Sequence, residues 1–303
     1  MDTGIYHAIS YPLTPDLTAK RRVRAVFLDY LSLLKPRVVL LHLLTATASM
    51  FLAAGGIPSI RTLALVLLGG GLAASSANAL NCYFDRELDK TMPRTQNRPL
   101  PAGRLTPNQA LVFGLACAAL GLSLLAWLSL AAAALALGAL ACYVLVYTLW
   151  LKRSTSLSAV LSSGIGAVPP LIGWIAVSGH LAVTPFLLFA IIALWTPPHF
   201  WALALSRGDE YKMAGLSVLP RNKPALWITI YIVFLLIASL ALAPVAHLNL
   251  FYTLPTAVMG VGFVWLTLRL NPEASPKSAR RLYFYSISYL VLLFAFLIAN
   301  QIL

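Results

Sequence analysis

The chain has 303 residues, 60% of them hydrophobic and only 10% charged, with 22 Lys and Arg against nine Asp and Glu and a formal charge of +13. No soluble core explains this composition, because apolar runs long enough to cross a hydrocarbon core of about 30 Å recur along the whole chain. The positive charge lies in loops, where it fixes topology and touches anionic headgroups, so a nucleic-acid partner is not expected.

Residues 1–37 form a basic arm with Lys20, Arg21, Arg22, Arg24, Lys35 and Arg37. It lacks the apolar stretch of a cleaved signal peptide and reads as a cytoplasmic N-terminal tail. Nine transmembrane helices are predicted at roughly 38–56, 62–84, 108–128, 131–150, 157–178, 183–205, 225–244, 249–269 and 282–303. The fold class is therefore an all-α polytopic bundle around a central cavity, and residues 38–303 read as one transmembrane domain.

Basic residues test that count independently. Arg86, Lys90, Arg94, Arg98 and Arg104 follow the second span, and Lys152 and Arg153 follow the fourth. Arg207, Lys212, Arg221 and Lys223 follow the sixth, and Arg269, Lys277, Arg280 and Arg281 the eighth, while the intervening loops hold only Arg61. This alternation places the N-terminus in the cytoplasm and the C-terminus outside, in a cytoplasmic (inner) cell membrane. Cys82, Cys117 and Cys142 lack metal-ligand spacing and read as small packing residues.

Carboxylates are expensive beside lipid, yet five of the nine gather at two span ends: Asp85, Glu87 and Asp89 after the second, and Asp209 with Glu210 after the sixth. Asn78, Asn81, Asp85 and Asp89 are spaced three, four and four apart, which puts them on one stripe of a helix. Two carboxylates about 6 Å apart repel by roughly 2.8 kcal/mol at an effective dielectric near 20, so a shared cation relieves a real cost. Mg²⁺ suits such a site, because it takes a few carboxylates and leaves positions for a diphosphate. A solvated helix end, with ion pairs to Arg86 or Lys90, is the plainer alternative.

The next segment, Arg94-Thr95-Gln96-Asn97-Arg98-Pro99-Leu100-Pro101-Ala102-Gly103-Arg104, offers guanidinium forks on a backbone restricted by prolines and a glycine. Further on, Trp195-Thr196-Pro197-Pro198-His199-Phe200-Trp201 interrupts the sixth span with two prolines beside a histidine. Proline removes helical hydrogen bonds there and opens room for a ligand. A histidine at this point either packs by hydrogen bonding or binds a ligand. Of the other histidines, His42 is a weaker candidate, His180 and His247 read as loop residues, and His7 belongs to the tail.

Taken together, Asn81-x3-Asp85-x3-Asp89 followed by Arg94-Thr95-x2-Arg98-Pro99-Leu100 resembles the first signature of the intramembrane UbiA-type prenyltransferases. Tyr147-Thr148 with Leu151-Lys152-Arg153, then Pro169-Pro170-Leu171-x-Gly173-Trp174, are similar to the central region of the heme-farnesylating branch of that family. The Trp195–Trp201 segment and Asp209-Glu210-Tyr211 are similar to its second cytoplasmic signature. One departure stands out: Met213 occupies the place of the wider family's second acid, leaving Asp209 or Glu210 to act alone.

The resemblance implies transfer of the farnesyl group of farnesyl diphosphate to a vinyl group of heme b, with addition of water, giving heme O and diphosphate. It implies Mg²⁺ held by Asp85, Asp89 and Asp209, with Arg94, Arg98 and Lys152 or Arg153 stabilising charge on the leaving diphosphate. Tyr147, together with other aromatics such as Tyr83, Tyr143 and Trp195, would line a dry pocket for the allylic cation. Asn78, Asn81, Trp195, Glu210 and Tyr211 would bind substrate, and His199 would ligate heme iron or steer a propionate. Partners implied are the lipid bilayer and proteins of heme synthesis or oxidase assembly. The alternative is a UbiA-type enzyme acting on an aromatic or quinone-precursor acceptor. A transporter would hold its carboxylates nearer the bilayer midplane, and an electron carrier would need paired axial ligands.

Overall fold

The computed structural model describes residues 17–155, 157–208, 219, 220, 222–270 and 276–303, without the side chains of 17–22 and Arg153. Among the described residues, nine helices are long and apolar enough to cross a membrane. They are preceded by α1 (Leu17–Leu34), which is too charged to be one of them. The described part of the arm is thus a helix, joined at Lys35 directly to the first span.

The spans begin where the local chemistry starts a helix. Helix α2 (Pro36–Ala54) has proline at its first turn and stops at Gly55, whose φ of 60° is left-handed. Helix α3 (Ile60–Thr91) is capped by Ser59, whose side chain accepts from the Thr62 amide. Helix α4 (Pro107–Leu128) opens with a reciprocal capping box between Thr106 and Gln109. Ser129 then caps α5 (Leu130–Ala141), which continues as a π-helix over Cys142–Leu151 and ends in the single turn α6 (Lys152–Ser154).

The fifth span is broken into α7 (Ser158–Leu161), α8 (Ser163–Gly166) and α9 (Pro169–Ser178). Four unbroken helices follow: α10 (Val183–Ser206), α11 (Pro224–Val245), α12 (Leu250–Leu268) and α13 (Pro276–Ile302). The largest departures from the expected boundaries are in α3, which runs past residue 84 to Thr91, and α13, which starts at Pro276. In α3 the extra two turns carry the acidic residues, so they belong to a helix rather than to a loop.

Neighbouring helices pack in a ring, α2 to α3 to α4 to α5 to α9 to α10 to α11 to α12 to α13, and α13 closes back on α2. The two largest of its apolar cores hold the ring. One joins α10 to α13 through Trp201, Tyr252, Phe263, Tyr289 and Phe294, and the other joins α2, α3, α4, α5 and α9 through Met50, Val66 and Leu125. Close approach depends on glycine at particular crossings. A Cβ on Gly121 would sit 2.7 Å from the backbone of Gly69 and Ala73, and one on Gly173 would overlap the Ala46 carbonyl. Gly69 makes such a contact, whereas a Cβ on Gly71 would reach only the Leu43 side chain at 3.6 Å and Gly70 faces open space, so only Gly69 of the Gly69–Gly71 run needs to be glycine for packing. Cys82 and Cys117 are buried packing residues, whereas Cys142 is exposed on the bundle surface.

Candidate active site

The stripe on α3 is buried along its whole length: Asn78, Asn81, Asp85 and Asp89 are each at most 5% exposed. Because the spans alternate in direction, the ends of α3, the π-helix and α10 and the start of α2 lie at one face of the bundle. Four elements meet there.

Asp85 accepts an ion pair from Lys152 at 2.7 Å, which reaches it from the end of the π-helix. Asp89 accepts one from Arg98 at 2.8 Å. Asn81 bridges them to the rest of the site: its amide nitrogen donates to Asp85 Oδ2 at 2.7 Å and to Thr148 Oγ1 at 3.2 Å. Its oxygen accepts from Lys35 Nζ at 2.7 Å. Asn78 instead donates to the Leu34 carbonyl, tying α3 to the α1–α2 junction.

Local structure explains how Arg98 arrives. After α3 the chain folds back through turns in which Thr95, 1% exposed, donates its hydroxyl to the Asp89 carbonyl at 2.8 Å and so caps the helix end. Leu100 and Leu105 bury against Leu33, Ala79 and Ala110, and Gly103 supplies a φ of 71°. Arg104 pairs with Asp29 of α1 at 3.0 Å, which fastens the loop to the arm. Arg94 lies exposed on the same loop. Glu87 belongs to the opposite, solvent-facing side of the helix, where it pairs with Lys90 and Arg86.

The π-helix is what brings Lys152 and Thr148 in. Its wider turn lets Thr148 Oγ1 donate to the carbonyl of Tyr143, five residues back, at 2.9 Å. Tyr143 and Tyr147 stack at 5.4 Å between ring centroids on the same segment. Tyr83, by contrast, lays its ring against the Arg86 guanidinium at 4.9 Å and against Phe84.

Lys35 and Thr148 are the site residues that sequence reasoning missed. Lys35 was assigned to topology alone, yet it holds a left-handed φ of 50° just before Pro36 and points its ammonium into the site. Desolvation holds that ammonium below the usual lysine range, with Arg98 and Lys152 adding to the shift and Cys82 and Asp89 opposing it. The signal available in the sequence was the Lys35-Pro36 dipeptide itself, a helix break at the mouth of the first span. Thr148 stands in the motif Tyr147-Thr148, but its contact with Asn81 has no signal there, because register in a π-helix is invisible to an α-helical reading.

A second cluster forms between α10 and α13. His199 is stacked between Trp195, at 4.3 Å, and Tyr283, at 4.7 Å, and its Nδ1 lies 2.7 Å from Ser286 Oγ. Trp195 Nε1 donates to the Ser286 carbonyl at 2.7 Å. Pro197 and Pro198 sit inside this helix and deprive the carbonyls four residues back of their usual donors. Asp85 lies six residues from the end of α3 and His199 seven from the end of α10, and both helices end at the same face of the bundle. Asp209, Glu210 and Tyr211 lie outside the described residues, as does the side chain of Arg153.

In chemical terms, three cations, Lys35, Arg98 and Lys152, face two buried carboxylates. The excess of positive charge suits a polyanion. The donors are hard oxygens, and a carboxylate accepts a second cation beside one ion pair, so Asp85 and Asp89 fit Mg²⁺. Among the described residues no third acid, histidine or cysteine joins them.

Comparison with known proteins gives the family and the fold. The model of the UbiA prenyltransferase family matches residues 42–294. The chain is 43% identical over 272 residues to the protoheme IX farnesyltransferase of Symbiobacterium thermophilum, covering 88% of this chain and 91% of that one. It is 42% identical over 279 residues to the protoheme IX farnesyltransferase of Gloeobacter violaceus, covering 90% and 92%. Among solved structures, a digeranylgeranylglyceryl phosphate synthase shares the fold with a TM-score of 0.76 at 19% identity, over 91% of this chain and 98% of that one. A UbiA homolog from Archaeoglobus fulgidus bound to GPP and Mg²⁺ has a TM-score of 0.66 at 17% identity, over 89% and 99%. With its acidic stripe, its facing cations and its ring of nine spans, the chain belongs to the UbiA prenyltransferase family.

Proposed function

We propose that the chain transfers the farnesyl group of farnesyl diphosphate to a vinyl group of heme b, water adding to give heme O and releasing diphosphate. The observation that carries this is the convergence of Lys35, Arg98 and Lys152 on the paired carboxylates Asp85 and Asp89, in a chain 43% identical to a protoheme IX farnesyltransferase. Residues 38–303 act as one catalytic domain, with residues 1–37 as its cytoplasmic arm, in a bundle whose N-terminus faces the cytoplasm and whose C-terminus lies outside.

Asp85 and Asp89, with Asp209 from the second acidic cluster, hold Mg²⁺, and the family fold binds that ion with a prenyl diphosphate in the Archaeoglobus fulgidus homolog. When bound, the ion neutralises charge on the diphosphate. Arg94, Arg98, Lys152 and Arg153 grip its oxygens, and Lys35 adds a donor from the α1–α2 junction. Breaking the allylic carbon–oxygen bond leaves the electron pair on the diphosphate, where these cations stabilise it. The stacked faces of Tyr143 and Tyr147 stabilise the cation left on the farnesyl carbon, and surrounding lipid and apolar side chains keep water from it. That carbon bonds to the vinyl group, and water then takes up the positive charge by adding a hydroxyl and losing a proton. Asn78 and Asn81 shape the diphosphate side of the pocket, and Trp195, His199, Glu210 and Tyr211 the acceptor side.

The test is to supply purified protein with heme b, Mg²⁺ and farnesyl diphosphate and to look by mass spectrometry for a hydroxyethylfarnesyl heme, with 4-hydroxybenzoate in parallel. Heme product with no prenylated benzoate is expected. Prenylated benzoate alone would move the chain to the quinone-precursor reading.

A further inference from the structure

We infer that Ser286 is a positioning residue that fixes His199 as an Nε2 ligand for the iron of the heme acceptor. This rests on heme b being the acceptor, and it chooses between the two roles open to this histidine, iron ligand and propionate donor.

The hydrogen bonds decide the tautomer. Ser286 Oγ lies 2.6 Å from the Tyr283 carbonyl. Two oxygens approach that closely only with a proton between them, so the single hydroxyl proton of Ser286 goes to Tyr283. Its oxygen is then an acceptor toward His199 Nδ1 at 2.7 Å, and Nδ1 must carry the hydrogen. In a neutral imidazole the lone pair is therefore on Nε2, which hydrogen-bonds no described residue. An Nε2 without a hydrogen cannot donate to a propionate; it can bind a metal ion.

The same residue sets the ring's orientation. Trp195 is pinned by its indole N–H to the Ser286 carbonyl, and Tyr283 lies one helical turn before Ser286. The two plates of the stack are thus both referenced to Ser286, leaving the partly exposed imidazole no alternative plane. A ligand histidine whose other nitrogen donates to a fixed acceptor is more basic and better aimed, and loss of such a partner weakens metal affinity by about 10- to 100-fold.

Ferrous heme b added to the purified protein in detergent supplies a readout separate from turnover: the iron–histidine stretching band in resonance Raman, whose frequency follows the Nδ1 hydrogen bond. The band is expected in wild type, absent in His199→Ala, shifted to lower frequency in Ser286→Ala with heme affinity about 10- to 100-fold weaker, and restored in Ser286→Thr. Ser286→Cys, with nearly the same volume and a weaker acceptor, should fall between and serves if the alanine variant does not fold. No band in wild type, a band surviving in His199→Ala, or an unshifted band in Ser286→Ala and Ser286→Cys overturns the inference. Heme O formation with no such band refutes the ligation alone, and a band with no farnesyl transfer refutes the acceptor reading alone.

Discussion

Asp85 is 1% exposed and depends on Lys152, so the pair is a place where stability and catalysis can be separated. Removing one partner of a buried ion pair costs about 3–5 kcal/mol because the other charge is stranded. Lys152→Met is therefore expected to lower the thermal midpoint in detergent and to abolish turnover. Adding Asp85→Leu should recover most of the midpoint and none of the activity. If the double variant farnesylates heme, the pair is structural only. Lys35 gives a pH-dependent case. Only its protonated form attracts diphosphate, and its pKa is held below the usual lysine range by desolvation, so charge is lost earlier than usual as pH rises. The alkaline limb of kcat/KM for farnesyl diphosphate should start below the ordinary lysine range and disappear in Lys35→Arg. An identical profile in the arginine variant would remove Lys35 from diphosphate binding.

Among elements, the π-helix over Cys142–Leu151 has the largest leverage, because one segment sets the directions of Tyr143, Tyr147, Thr148 and Lys152. Deleting the exposed Leu145 shortens the segment by one residue and rotates everything beyond it about the helix axis. Membrane insertion should survive, since the deleted side chain is on the surface, while turnover falls at least about 100-fold as the lysine leaves Asp85. Retained activity would mean that the register is not what positions Lys152. The α2–α9 crossing makes a contrasting case, in which packing rather than chemistry is at stake. Gly173→Ala puts a Cβ well inside van der Waals contact of the Ala46 carbonyl oxygen, and overpacking of this kind costs about 1–3 kcal/mol, readable as a lower melting temperature.

For the whole molecule, the ring of nine spans requires the two termini of the membrane domain to lie on opposite faces. The basic loops lie on the side of the acidic stripe, and the proposed orientation, which puts that side in the cytoplasm, can be tested directly. A reporter that works only outside the cytoplasm should be active when fused after Leu303 and silent when fused in the loop at Asn97. The reverse pattern would invert the site. Each half contributes its own core, and α13 closes the ring by packing on α2, so separate halves should not hold the site together without that seam.

The nine spans and the acidic stripe were legible from residues alone, though not the stripe's burial, because hydrophobic runs and a three-and-four spacing are local properties of the chain. Asn81, Asp85 and Asp89 could be placed on one face without knowing what faced them. Their partners could not. Lys35 is 46 residues from Asn81 and Lys152 is 67 from Asp85, and nothing in either neighbourhood states that they meet. Likewise the π-register behind Thr148, the break in the fifth span and the Ser286 bond that sets the His199 tautomer depend on which helix crosses which. A sequence fixes the charge and the period of each segment, whereas opposite charges at a distance find each other only through packing, and that was decided by the tertiary structure.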